Sequence, residues 1–134
     1  MGVLNYTPDS FSDGGRFNAG IDEAVKRIED MAAAGADIVD IGGQSTRPNA
    51  KLVTSEEEAA RVVPVIEAAR ARGCTVAISV DTFRADVARA SVAAGANFVN
   101  DVSGGLLDPA MLSTVASLHV PVCLMHYRGD PSSM

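Results

Sequence analysis

Five short apolar runs each end in a polar or ionisable side chain: Val3-Leu4-Asn5, Ile38-Val39-Asp40, Ile78-Ser79-Val80-Asp81, Phe98-Val99-Asn100 and Cys123-Leu124-Met125-His126. Amides and carboxylates of this kind can hold the hydrogen-bonding edge of a small molecule. Two polar loops accompany them. In Gly42-Gly43-Gln44-Ser45-Thr46-Arg47-Pro48-Asn49, the glycines let backbone amides approach an anion, Thr46 can donate to it and Arg47 can pair with it, which suits a phosphate-like ligand. The stretch from Asn5 through Asp13 to Gly15 is long for a connection in a compact domain. Such loops are either ordinary solvated links or functional coverings of a site.

The runs must be positioned by something, and their form says what. They are short, rich in β-branched residues and free of polar alternation, as strands buried in a parallel sheet are. Helical patterns lie between them: Ile21, Val25, Ile28 and Ala32 trace one apolar face, and Ala59, Val62, Val63 and Ile66 another. Ser55 with Glu58 has the form of a capping box, which places the start of the second helix near Glu56. Pro64 should kink that helix unless an early turn accommodates it. Val87, Ala90 and Ala94 mark a third helix, and Asp108-Pro109 opens a fourth with Leu112 and Val115 inward.

The segment Ala33-Ala34-Gly35-Ala36-Asp37-Ile38-Val39-Asp40 is echoed by Ala93-Ala94-Gly95-Ala96-Asn97-Phe98-Val99-Asn100. A repeated β/α unit predicts a right-handed wind of parallel strands, with chemistry at their carboxyl ends. The predicted fold class is α/β, a partial TIM-type barrel of about five strands, with a doubly wound sheet as the alternative. No GxGxxG follows a strand, which counts against a dinucleotide-binding version. Both ends look cut: Met1 falls inside the first strand, and the chain stops in a polar loop at Arg128-Gly129-Asp130-Pro131. Five such strands with one helical layer cannot close a barrel. Residues 1–134 are therefore expected to form the N-terminal part of a single barrel domain.

The 134 residues are 47% apolar and 21% charged, as in a globular chain. No apolar run reaches the roughly 18 residues needed to cross a bilayer, and no signal-peptide pattern opens the chain. The expectation is a cytoplasmic protein, or a mitochondrial one if the source is eukaryotic. A net charge of −6 argues against a nucleic-acid surface. Cys74 and Cys123 form no CxxC pair and read as reduced core thiols. His119 reads as a spacer, Asp40 and His126 as supporting groups, and Glu56-Glu57-Glu58 as acids favoured at a helix N-terminus.

Asn5-Tyr6-Thr7-Pro8-Asp9-Ser10-Phe11-Ser12-Asp13-Gly14-Gly15 resembles the first signature of the dihydropteroate synthases, and Gly42 to Pro48 resembles the second. Ser79-Val80-Asp81-Thr82, Asn100 to Gly105 and Met125 to Asp130 are similar to later segments, in family order. The resemblance implies displacement of diphosphate from 7,8-dihydropterin-6-ylmethyl diphosphate by the amine of para-aminobenzoate. It assigns catalytic work to Asn5, Arg47 and Asp13, with Asn5 holding Mg²⁺. It places Thr46, Asp81, Asn100 and Met125 around the pterin diphosphate, and Phe11, Asp13, Arg47 and Pro48 at the aminobenzoate pocket.

Tyr6 departs from the small or aliphatic residue usual there. The family's later residues are missing: an Asp in a Gly-Phe-Gly segment, a Lys, and an Arg-x-His. The resemblance thus implies a fragment inactive alone, a homodimer for the full-length protein, and sulfonamides as competitors of para-aminobenzoate. Ser-Thr-Arg-Pro-Asn and Arg-Gly-Asp-Pro resemble versions fused to other folate-pathway enzymes in eukaryotes. Two alternatives stand beside this reading. A pterin-binding methyltransferase barrel would lack the loops at Ser10 to Gly15 and Ser45 to Pro48. A non-catalytic pterin-binding fragment, or a half-barrel needing a complementary chain, would share them.

Overall fold

The computed structural model describes residues 1–6, 17–43 and 53–125. Strands and helices alternate as β1 (Gly2–Asn5), α1 (Phe17–Ala33), β2 (Ile38–Gly42), α2 (Ser55–Ala71), β3 (Ala77–Asp81), α3 (Ala85–Ala94), β4 (Phe98–Asp101), α4 (Met111–Leu118) and β5 (Val122–Leu124). All neighbouring strands pair parallel, in the sequential order β1-β2-β3-β4-β5.

Leu4, Val39, Ile41, Ile78, Val80 and Val99 share one face of the sheet, as the register Leu4↔Ile41, Val39↔Ile78, Ile41↔Val80 and Val80↔Val99 requires. They form a single buried cluster with Val25 and Ile28 of α1, Val62, Val65 and Ile66 of α2, Val87 of α3, and Met111 and Val115 of α4. The helices therefore cover one face only, and among the described residues no strand lies on the far side of β1. That is the wall of a β/α barrel, and it excludes the doubly wound alternative.

The two echoed turns have one backbone solution. Gly35 and Gly95 lie at φ +106° and +127°, where only glycine sits without strain, and each is followed by a strand. Other expectations shift. Thr54 rather than Ser55 caps α2, accepting a hydrogen bond from Glu57 N at 3.1 Å, so Glu58 turns into the core instead of back to the cap. Helix α2 runs on through Pro64. The carbonyl that the proline leaves without a donor belongs to exposed Ala60, within reach of water.

In α4, Leu112 is exposed and Met111 buried. The inward set is Met111, Thr114 and Val115, so Val115 faces the core as expected and Leu112 does not; the helix begins after Ala110 rather than at Asp108-Pro109. Cys74 packs partly buried against the core, but Cys123 is exposed, since β5 is an edge strand and Cys123 lies on the face the helices leave uncovered.

Candidate functional site at the carboxyl ends of the strands

On the uncovered face the register sets Asn5, Gly42, Asp81, Asn100 and Cys123 side by side, one from each strand. Successive side chains of a strand alternate faces, so this row and the row beneath it, Val3, Asp40, Ser79 and Phe98, point the same way. Gly42 leaves a notch. A Cβ there would meet Asp81 Cβ at 3.4 Å, and Asp81 Oδ2 and Asn5 Oδ1 at 3.6 Å each. The amide of Asn5 and the carboxylate of Asp81 thus flank a gap that a larger residue would fill.

Asp40 supports the row from below. Its Oδ1 accepts from Ser79 Oγ at 2.5 Å, and its Oδ2 accepts from Asn100 Nδ2 at 3.3 Å. Using one amide proton of Asn100 in this way orients the side chain and leaves Oδ1 and the second proton for the rim. Asp101 is buried behind the row. It accepts from Ser103 N at 2.8 Å, Ser103 Oγ at 2.7 Å and Gly105 N at 3.1 Å, which shapes the turn after β4.

Four carboxylates therefore converge on the rim. Burial, then the charges of Asp40, Glu58 and Asp101, push the Asp81 carboxyl up to about 7. Burial raises Asp40 as well, against the hydrogen bonds from Ser79 and Asn100. Glu58 is also raised by burial, opposed by Thr82, Arg84 and Arg61. A site of this kind favours a ligand edge that donates hydrogen bonds and can take on positive charge.

Of the residues expected at the site, Asn5, Asp81 and Asn100 meet in one row. Met125 follows β5 directly, exposed, with its N–H donating to the Asp101 carbonyl at 3.1 Å. Phe11, Asp13, Thr46, Arg47, Pro48 and His126 lie outside the described residues. Sequence reasoning passed over Glu58, treating it as a capping-box partner and an acid favoured at a helix N-terminus. It is fully buried and bonded to Arg84 Nη1 at 2.7 Å. Its position four residues before Val62, on the buried stripe of α2, was the available signal. No cluster of three or more His, Cys, Asp or Glu side chains suited to a metal occurs among the described residues. Asn5 offers one neutral oxygen, which fits a hard cation held chiefly by phosphate oxygens and water.

Sequential parallel strands and a one-sided helical layer define the class: the wall of a β/α barrel, with its polar row at the carboxyl rim. The sequence pattern of the family described as pterin binding enzyme matches residues 1–134, and the chain belongs to that family.

The chain is 51% identical over 130 residues to the dihydropteroate synthase of Clostridium beijerinckii, covering 97% of this chain and 48% of that one. It is 53% identical over 136 residues to the mitochondrial folate synthesis bifunctional protein of Arabidopsis thaliana, covering 100% and 24%. A crystal structure of dihydropteroate synthase from Clostridium difficile, determined in the presence of pteroic acid, superposes with a TM-score of 0.90 at 47% identity, covering 96% of this chain and 48% of that one. The chain thus spans about half the length of the bacterial relatives it matches. No helix among the described residues is long and apolar enough to cross a membrane.

Proposed function

We propose that residues 1–134 are the N-terminal part of a single pterin-binding barrel and that the complete protein is a dihydropteroate synthase. The observation that carries this is the row Asn5, Gly42, Asp81 and Asn100, three polar side chains around a glycine notch on one rim. In the reaction, the amine nitrogen of para-aminobenzoate attacks the methylene carbon of 7,8-dihydropterin-6-ylmethyl diphosphate. The C–O bond breaks, diphosphate leaves with the electron pair, and the nitrogen loses a proton. No protein nucleophile is required.

Asp81 and Asn100 hold the hydrogen-bonding edge of the pterin. The negative field of Asp81, Asp40, Asp101 and Glu58 favours the cation that develops as diphosphate departs. Asn5 would hold a Mg²⁺, which would supply positive charge to the diphosphate leaving group. Thr46 and Arg47 meet the anionic groups, Met125 lies against the ring, and Phe11, Asp13 and Pro48 wall the aminobenzoate pocket, as the family resemblance implies. The full-length protein would be a homodimer. Fusion to further folate-pathway enzymes and a mitochondrial location would follow for a eukaryotic source, the Arabidopsis relative being named bifunctional and mitochondrial.

The test is calorimetric titration of the full-length parent with the pterin diphosphate and Mg²⁺. Asp81→Ala should weaken binding roughly 10- to 100-fold, the worth of hydrogen bonds to a charged group. Unchanged affinity would remove Asp81 from the site.

A further inference from the structure

The stretch of chain joining β2 to α2 is tied at both ends by arginines from outside it. Next to β2, Arg61 Nη1 donates to the Gly43 carbonyl at 2.8 Å. Next to α2, Arg84 Nη2 donates to the Val53 carbonyl at 2.5 Å. Arg84 is itself held: Nη1 donates to Glu58 Oε1 at 2.7 Å, its guanidinium lies 4.7 Å from the Phe83 ring centre, and its backbone N–H donates to Thr82 Oγ1 at 3.1 Å.

Glu58 has no solvent exposure, and its Oε2 has no hydrogen-bond partner among the described residues. The Thr82 hydroxyl is near enough to favour the ionised form without completing that bond. A wholly buried, half-satisfied carboxylate is a costly way to hold a helix, and an apolar pair of similar volume commonly does it as well. Stability alone therefore does not account for this pair. What it joins is specific: the carbonyl of Val53, just before α2, and the loop that begins directly after Asp81.

We propose that Glu58 and Arg84 are positioning residues, a buried clamp that locks the Val53 carbonyl and the first turn of α2 to the loop following Asp81 and so holds Asp81 in the rim row. The inference deepens the dihydropteroate synthase reading and rests on it. Arginine is the side chain the arrangement requires, because its planar fork serves a carboxylate and a carbonyl from different nitrogens at once. An ammonium presents no such fork. Displacement of a substrate-holding group by about 1 Å can cost on the order of 100-fold in rate, so a clamp remote from the reacting atoms has leverage on them.

The experiment uses the full-length parent and two variants, Arg84→Lys and the apolar pair Glu58→Met with Arg84→Met. Three quantities are read: the unfolding midpoint, kcat with KM for the pterin diphosphate, and hydrogen exchange of the amides in 53–58 and 81–85. Both variants should raise KM about tenfold while kcat falls less, and exchange in 53–58 and 81–85 should quicken more than elsewhere, in line with a lost positioning contact. The apolar pair should keep a near-native midpoint. A folded apolar pair with native KM and native exchange overturns the clamp, as does exchange that quickens uniformly along the chain. A wild-type parent that forms no dihydropteroate sinks the function proposed above, and the exchange comparison still decides the clamp.

Discussion

Asp81 illustrates how surroundings change a single residue. Burial first, and then the charges of Asp40, Glu58 and Asp101, raise its pKa from 3.8 to about 7. A carboxyl that binds its proton more tightly folded than unfolded contributes stability present below 3.8 and lost as pH rises through about 7. Asp81→Asn, which removes the charge, should therefore raise the unfolding midpoint of the parent protein at alkaline pH. It should change little where both states are protonated, near pH 3, about one unit below the reference carboxylate value. Calorimetric scans at the two pH values check this, and equal shifts at both would contradict it. Asp40→Ala should act differently. It strips the acceptor from the buried Ser79 hydroxyl and frees Asn100 to turn. The expected cost is about 1–3 kcal/mol in denaturant melts, together with weaker pterin binding in titration. Asn5, Asp81 and Asn100 were legible as the polar ends of apolar runs. Glu58 was not, because an acid in a helical first turn has an ordinary explanation in the helix dipole.

Among the elements, α2 joins the two ends of the sheet. Its first turn supplies Glu58 to the rim, and its last turn supplies Arg70 to the opposite end. Arg70 donates to the Gly95 carbonyl from Nε at 3.0 Å and Nη2 at 2.9 Å, to the Cys74 and Val76 carbonyls at 2.9 and 2.8 Å, and to Asn97 Oδ1 at 2.7 Å. Asn97 Oδ1 also accepts from Ile78 N at 2.8 Å, so the turns before β3 and β4 are stitched through one guanidinium. Arg70→Ala should lower stability by about 2–4 kcal/mol, several hydrogen bonds being lost at once. Kinetics of the folded enzyme should be unaltered, since the rim lies at the other end of the strands. Gly95→Ala should also destabilise, because a Cβ would meet Arg70 Cγ at 2.7 Å on a backbone at φ +127°. Melts paired with steady-state rates separate these effects from loss of the site. The elements themselves were readable from hydrophobic periodicity. The exact cap of α2 and the choice of Met111 over Leu112 on the inward face of α4 were not, since neighbouring helical residues point about 100° apart and packing against the sheet selects between them.

At the scale of the whole molecule, β1 and β5 are the edges of the sheet among the described residues, and Val3 on the uncovered face is 59% exposed. Unpaired parallel edges and an uncovered inner face invite association. Purified residues 1–134 should self-associate on gel filtration and form dihydropteroate at no detectable rate, while the parent is active. Turnover by the short chain would show that the rim row and its two loops suffice for the reaction.

The sequence alone determined the alternation of strands and helices, the glycine turns at Gly35 and Gly95, the family, and the polar residues at the strand ends. All of these are written in local spacing or in contiguous motifs. Only the tertiary structure decided that the helices lie on one side of a sequentially ordered sheet, which separates a barrel wall from a doubly wound sheet. It alone joined Asn100 to Asp40, 60 residues away, and Arg84 to Glu58, 26 residues away. It also decided the raised pKa of Asp81. Desolvation and Coulomb interactions depend on distance through space, and the chain must fold before residues so far apart in sequence can act on one another.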